Sequence, residues 1–523
     1  MSTQTTPFIT SGLVALAVVL SYAVLKAVRG RSTLKDIRGP ESKSFWLGNE
    51  QDIRYQNEVG DHEFKWMREY GSVWRTTGCL GEDILMVADP KALQYILHTS
   101  GYKWPKSTVA TEEIRFNPSS YLAPQLESFL SLFQNHSMKL VQNWKDEIAG
   151  SSSPSEGTLI NVATWLTRTT LDIIGLAGFS YEFNALENGD SELAKMYHNL
   201  FLDSSLYPNK IDYVFRSFWH YIPEPLLHLV RFLPIRQYAR SHEYINFMRT
   251  FAPRIIRQNE SLGDGKDILS VLARANAAGD PKARLSDVEV QNQMSTVLLA
   301  GHDTTANTLL WFFYEIAKHP EWQTKVREEI AAVRVQVNAR GDEDFSIADL
   351  EGMTMMHAAL KESMRLHPIV WQLVRVAGQN DVLPLAFPIR TKSGENISQI
   401  PVQKGQTVYI SIAAYNRLEG IWGADAHEFH PERFLEMDKA KQTSIGVYAN
   451  LLNFSGGIRA CIGWRFSVIE LQAIVSTLLE NFEFSMPEGD KQKTIMRKPS
   501  GIMLPLVEGY HGSWMGLQVC PVQ

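Results

Sequence analysis

The sequence predicts one large, mainly α-helical domain with a small β portion, set behind an N-terminal transmembrane helix. Three observations carry this reading. Helix-period apolar patterns dominate residues 162–178, 285–318 and 464–481, whereas strand-like alternation is confined to short stretches. No internal repeat, low-complexity segment or polar linker divides the 523 residues, so a single large core is the economical arrangement. At the N-terminus, Phe8–Val28 carries no charge before Lys26.

That apolar run spans roughly 30 Å as a helix, the thickness of a bilayer's hydrocarbon core. No Lys or Arg precedes it, and Arg29, Arg31, Lys35 and Arg38 follow it. The basic side stays cytoplasmic, so residues 1–28 are expected to be a single-pass anchor with the bulk of the chain in the cytosol. A cleaved signal peptide has a basic start and a shorter apolar run. Residues 29–45, basic and containing Pro40, read as a stiff tether, and residues 46–523 as the large domain. Asn135, Asn259, Asn396 and Asn453 begin glycosylation sequons; on the cytosolic side these are chance matches.

A formal net charge of −6 lacks the basic footprint of a nucleic-acid binder. Three cysteines, Cys79, Cys461 and Cys520, lie too far apart for a disulfide framework and fit a reducing compartment. Trp74–Asp89 reads as a hairpin and Gly405–Tyr415 as a strand region. Ser286 and Glu289 form a capping-box pattern opening a long helix that Pro320 should stop. Its middle, AGHDTT (Ala300–Thr305), places Gly301 where it costs about 1 kcal/mol relative to Ala. Small residues followed by an acid and two hydroxyls suggest a local opening in the helix ladder. The plainer reading is a packing glycine beside a solvated Asp–Thr pair. Glu362 and Arg365, three apart in LKESMRLHP, share a helix face, and FHPERF offers Arg433 as a second cation. Finally, FSGGIRACIG (Phe454–Gly463) sets one cysteine among three glycines just before a helix. Read alone, Cys461 is either an inert buried thiol or a thiolate favoured by the helix N-terminus.

These features in this order resemble the cytochrome P-450 superfamily of haem-thiolate monooxygenases, in the style of fungal microsomal members. The resemblance covers most of the chain from about Gly39 to Gly516. It implies the cytochrome P-450 fold and a haem b whose iron takes Cys461 as axial ligand. It implies that Arg459 and Arg375 meet the haem propionates, that Phe454 shields the sulfur, that Gly457 makes a tight turn and that Gly463 allows close approach. Asp303 and Thr304 would deliver protons to bound dioxygen, with Ala300 and Gly301 leaving room above the iron. Glu362, Arg365 and Arg433 would form a structural ion network. Ile369, Val370, Leu373 and Ile502 would line a pocket for a lipophilic substrate. The implied partners are NADPH-cytochrome P-450 reductase and cytochrome b5. The implied setting is the endoplasmic reticulum membrane, with the catalytic domain facing the cytosol and a role in secondary metabolism.

One departure stands out. The family's helix with a Trp or His four residues before an Arg, a further propionate donor, has no counterpart. The only W-x-x-x-R is Trp371–Arg375, and no H-x-x-x-R occurs. Residues 107–122 look like a deletion, with Arg115 as a partial substitute. A haem protein impaired by that loss, or a peroxide isomerase or dehydratase, are the alternative functions. Residues 205–234, rich in aromatics, read either as a lid over an access channel or as core-packed helices.

Overall fold

Ser286 opens the longest helix as its spacing predicts. Its hydroxyl accepts from the Glu289 amide while the Glu289 carboxylate accepts from the Ser286 amide at 2.7 Å, a complete capping box. The helix then runs without a break to Lys318, and Pro320 starts the next one. The expected opening at Ala300–Thr305 is therefore absent. Thr304, Asn307 and Thr308 side chains donate to the carbonyls one turn earlier, but the ladder survives.

This computed structural model describes residues 33–107, 126–151, 157–189, 196, 199–219, 222–227, 235–260, 267–270, 284–436 and 445–522. The expected anchor, Arg115 and nearly all of the expected deletion lie outside the described residues. No helix among the described residues is long and apolar enough to cross a membrane.

The helices that position the site are α1 (Pro90–Gln94), α2 (Leu126–Ala149), α3 (Val162–Phe179), α4 (Asp287–Lys318), α5 (Pro320–Arg340), α6 (Thr354–Leu366), α7 (Ile412–Tyr415) and α8 (Trp464–Asn481). The three longest predicted helices thus appear as α3, α4 and α8. Helix α3 buries residues on almost every side, as a core helix must, and packs extensively against α4. The Thr170 hydroxyl donates across that contact to the His302 carbonyl at 3.1 Å. Helix α8 packs against α2 and α5, and α6 lies against α4 and α5.

The β portion is small. Strands β1 (Val73–Thr77) and β2 (Asp83–Val87) form the expected hairpin. A short strand β3 (Thr158–Asn161) pairs elsewhere, and β4 (Gln372–Val376) follows α6. Strands β5 (Asp381–Arg390) and β6 (Asn396–Val402) make a second hairpin, and β7 (Thr407–Ser411) follows. The main sheet has the order β1-β2-β7-β4, with β2 and β7 parallel and the other pairs antiparallel. The strand expected over Gly405–Tyr415 stops at Ser411. There the Ser411 hydroxyl accepts from the Ala414 amide at 3.3 Å and caps α7.

The expected tether is not free-standing where it is described. Leu34 and Ile37 are buried in the main core, and Arg75 N donates to Arg38 O at 2.9 Å. The chain is docked from Leu34 onward, so the domain begins earlier than residue 46.

One buried carboxylate ties the hairpins to the helices. Asp89 accepts from Lys91 N (3.0 Å) and Ala92 N (3.1 Å), capping α1, from Ser72 Oγ (3.0 Å), and from Ala386 N (2.8 Å) and Phe387 N (3.0 Å) in β5. Stranding buried donors costs about 1–3 kcal/mol each. Asp89→Ala is expected to destabilise the fold by about 3 kcal/mol or more, with Asp89→Asn between it and the parent. Urea midpoints measure this, and equal midpoints for parent and Ala variant would contradict it.

Candidate active site and cofactor cradle

The cysteine loop is clamped by backbone. Gly457 has φ +65°, and a Cβ there would sit 1.8 Å from the Leu97 carbonyl oxygen. Glycine is required at that position by conformation and by space alike. Ala460 N donates to Gly457 O (3.1 Å) and Cys461 N to Phe454 O (2.8 Å), which closes the loop and presents the cysteine. Phe454 itself is partly buried, its ring 6.1 Å from that of Tyr448.

Cys461 is solvent-accessible, yet surrounding protein pushes its thiol above the ordinary value, while the Gly463 N–H pulls it back. The thiol is thus reachable from solvent although protein lies around it. Gly463 is the N-cap of α8, so the positive end of that helix lies beside the sulfur. A Cβ on Gly463 would meet no protein atom within 4 Å. The close approach expected at this glycine is therefore not to another part of the protein. Cys79 is buried and Cys520 half-buried, with burial raising both thiols, as inert cysteines should be.

Two arginines converge nearby. Arg375, on β4, is buried and donates to Val374 O at 2.9 Å. Arg459, in the cysteine loop, donates to Gly101 O. Burial, then the charge of Arg459, lowers the Arg375 guanidinium to about 10. Neither arginine makes an ion pair with a carboxylate among the described residues.

On α4, the AGHDTT residues divide by face. Ala300 is exposed, whereas a Cβ on Gly301 would approach Ile174 Cγ1 of α3 to 2.6 Å. Gly301 is thus a packing glycine at the α3–α4 contact. The Thr304 hydroxyl donates to the Ala300 carbonyl at 2.7 Å. Asp303 pairs with His302, whose Nε2 lies 3.2 Å from Oδ1 and whose Nδ1 lies 2.7 Å from Leu298 O. Burial disfavours the imidazolium, but Asp303 and the Leu298 carbonyl outweigh it and raise His302. The sequence reading passed over His302, although it stands inside the quoted stretch. Thr305 Oγ1 meets Ser467 Oγ of α8 at 2.9 Å, which brings the Asp303–Thr304 turn and the cysteine's helix together.

The ion network forms as expected and is fully buried at its centre. Glu362 accepts from Arg365 (2.7 and 2.8 Å), Arg433 (3.0 Å) and the His430 amide (2.8 Å). Arg365 also donates to the carbonyls of Asn416 and Glu428, and Arg433 to Asp425. His430, then Arg433, holds the Asp425 carboxyl down at about 2. The network reaches the cysteine loop through Asn453, which accepts from Asn416 Nδ2 (3.0 Å) and donates to Met364 O (2.7 Å). That amide is committed inside the fold, in keeping with a chance sequon.

Of the expected pocket residues, Ile369 and Ile502 are buried and Val370 and Leu373 partly buried. Met503 N donates to Ile369 O at 2.8 Å, so the two segments, far apart in sequence, do meet.

The family model described as Cytochrome P450 matches residues 112–511. This chain belongs to the cytochrome P450 family. Cytochrome P450 monooxygenase 205 of Postia placenta is 32% identical, with 95% of each chain covered. Cytochrome P450 monooxygenase 81 of the same fungus is 31% identical over 97% of this chain and 96% of its own. Cytochrome P450 monooxygenase claU of Ampulloclitocybe clavipes is 28% identical over 99% of both. The chain is accordingly a haem-thiolate monooxygenase, and its mainly helical fold with a small sheet portion is that of its family. The residues present fit a haem. Cys461 offers an accessible thiol, Gly463 leaves the space beside it open, and Arg375 and Arg459 are cations without carboxylate partners among the described residues.

Glu362→Gln would leave the buried Arg365 without its counter-charge and Arg433 with Asp425 alone. Breaking a buried pair in this way costs about 3–5 kcal/mol. The expected outcome is a urea midpoint lowered accordingly, while an unchanged midpoint would show that the network does not hold this side of the fold.

Proposed function

We propose that this P450 is anchored in the endoplasmic reticulum membrane by residues 1–28. It would insert one oxygen atom from O2 into a lipophilic organic substrate, with electrons from NADPH-cytochrome P450 reductase and cytochrome b5 as a second donor. The observation that carries this reading is Cys461, accessible just before the N-terminus of α8 with the Gly463 N–H on its sulfur.

Haem b, when bound, supplies the iron that activates O2. The chain's own residues divide the remaining work. Cys461 Sγ would ligate the iron as the thiolate, and the Gly463 N–H with the helix N-terminus favours that negative charge. Arg375 and Arg459 would hold the haem carboxylates by charge-assisted hydrogen bonds. Thr304 Oγ1, parked on the Ala300 carbonyl beside an exposed alanine, can hold a water and pass a proton on. Asp303, paired with His302, relays protons from solvent. Ile369, Val370, Leu373 and Ile502 present apolar surface, which favours a lipophilic substrate and excludes water from it.

General acid–base help of this kind is worth about 10²–10⁴-fold. Thr304→Ala is therefore expected to uncouple turnover. NADPH is still oxidised in the presence of reductase, but the reducing equivalents leave as peroxide or water instead of product. The ratio of product to NADPH measures this, and an unchanged ratio would remove Thr304 from proton delivery.

A further inference from the structure

A lysine is buried without a counter-charge on the hairpin that carries the expected pocket residue Ile502. Resting on the proposed pocket of Ile369 and Ile502, we propose that Lys498 binds the carboxylate of the substrate, so that the substrate class is a lipophilic carboxylic acid.

The placement comes from strand register. Lys498 stands on β8 (Ile495–Pro499), which pairs antiparallel with β9 (Met503–Val507), and Leu504 lies opposite it. The ladder continues into the tip of the hairpin, where Ser500 N donates to Ile502 O at 3.1 Å. Opposed residues share a face, as do residues two apart on a strand, so Lys498, Leu504 and Ile502 lie on one side. Residues 201–207 cover the tip. Ser500 Oγ donates to Phe201 O at 2.6 Å, and a Cβ on Gly501 would lie 2.7 Å from Phe201 Cδ1. The same stretch ends on Tyr207, whose ring centroid is 5.9 Å from Lys498 Nζ. Tyr207 stacks on Tyr55 with centroids 5.8 Å apart, and Val59 N donates to Arg497 O at 2.7 Å. Lys498 is therefore enclosed by residues 201–207, residues 55–59 and β9.

The charge balance gives the ligand its chemistry. Lys498 is 6% exposed, and a lysine is almost never so buried unless it is paired. Among the described residues no carboxylate pairs with it, and its cationic contact is the face of the exposed Tyr207 ring. Neighbouring cations do not share that lack, since Arg497 is paired with Glu58 and Arg54 with Glu50. Enclosing an ammonium is costly until an anion meets it. One ammonium beside Leu504 and Ile502 balances one negative charge. That suits a carboxylate and not a phosphate monoester, which carries close to two. The apolar side chains on the same face take the hydrocarbon part.

The test titrates the full-length haem-loaded protein with laurate and with 1-dodecanol, its neutral counterpart of equal chain length, by calorimetry and by the haem spectrum together. The parent should bind laurate more tightly than 1-dodecanol. Lys498→Met should weaken laurate about ten- to a hundredfold and leave 1-dodecanol unchanged. Lys498→Arg should keep most of the affinity for laurate. Lys210→Met removes an exposed lysine over the Tyr55 ring and should match the parent for both ligands. A parent that does not bind laurate, or binds 1-dodecanol equally well, overturns the proposal. So does a Lys498→Met variant that weakens both ligands alike, which marks a structural role, or weakens neither. Heat of binding for both ligands with an unaltered haem spectrum overturns the pocket assignment itself. A spectrum that responds to both ligands, with laurate unaffected by Lys498→Met, removes the acid contact alone.

Discussion

Ionisable groups crowded by protein around the cysteine loop are the constraint on which the rest of this structure depends. A thiol surrounded by protein resists ionisation, and guanidinium groups surrounded by protein resist staying charged. The chain places both in one region and gives neither a counter-charge of its own among the described residues. A single ligand answers both needs when it carries a cation at its centre and carboxylates at its rim. In the proposed reading, iron beside Cys461 and propionates beside Arg375 and Arg459 would form that complement.

Holding such a site needs a rigid frame, because bare like charges push it apart. The frame is mostly backbone. Gly457 is wedged against Leu97 O, and the Cys461 amide is tied to Phe454 O. Behind the loop stands the Glu362 network, which satisfies its buried carboxylate with two guanidiniums and an amide. Its Arg365 donates to the Asn416 carbonyl, the Asn416 side chain to Asn453, and Asn453 adjoins Phe454. A pair of this kind adds little net stability against an apolar alternative, but losing one partner is costly. Its use here is to fix where the loop lies.

The local devices were legible in the sequence. The Ser286 capping box, the proline stop, the Trp74–Asp89 hairpin and the glycine turn before Cys461 each depend on residues a few positions apart. What was not legible depends on partners far along the chain. Gly301 is set by Ile174, a residue more than one hundred positions away, so from sequence the packing reading and the opening reading stood level. Ser411 turns a strand into a helix by capping, which a continuous apolar run conceals. Leu34 and Ile37 look like part of a tether until the core they enter is seen. His302 was visible but ambiguous, since a lone histidine in a helix gives no sign that it braces its neighbour.

The central claim is that Cys461 lies where a haem iron takes it as thiolate, in a chain whose propionate donors suffice without the family's additional helix. The carbon-monoxide difference spectrum of the reduced full-length protein tests it most directly, because that spectrum reports haem and the nature of the axial ligand together. The account predicts a haem-bearing protein with the thiolate-type band, lost in Cys461→Ala. A nitrogen-ligand-type band from freshly prepared protein, or no haem band at all, would contradict it.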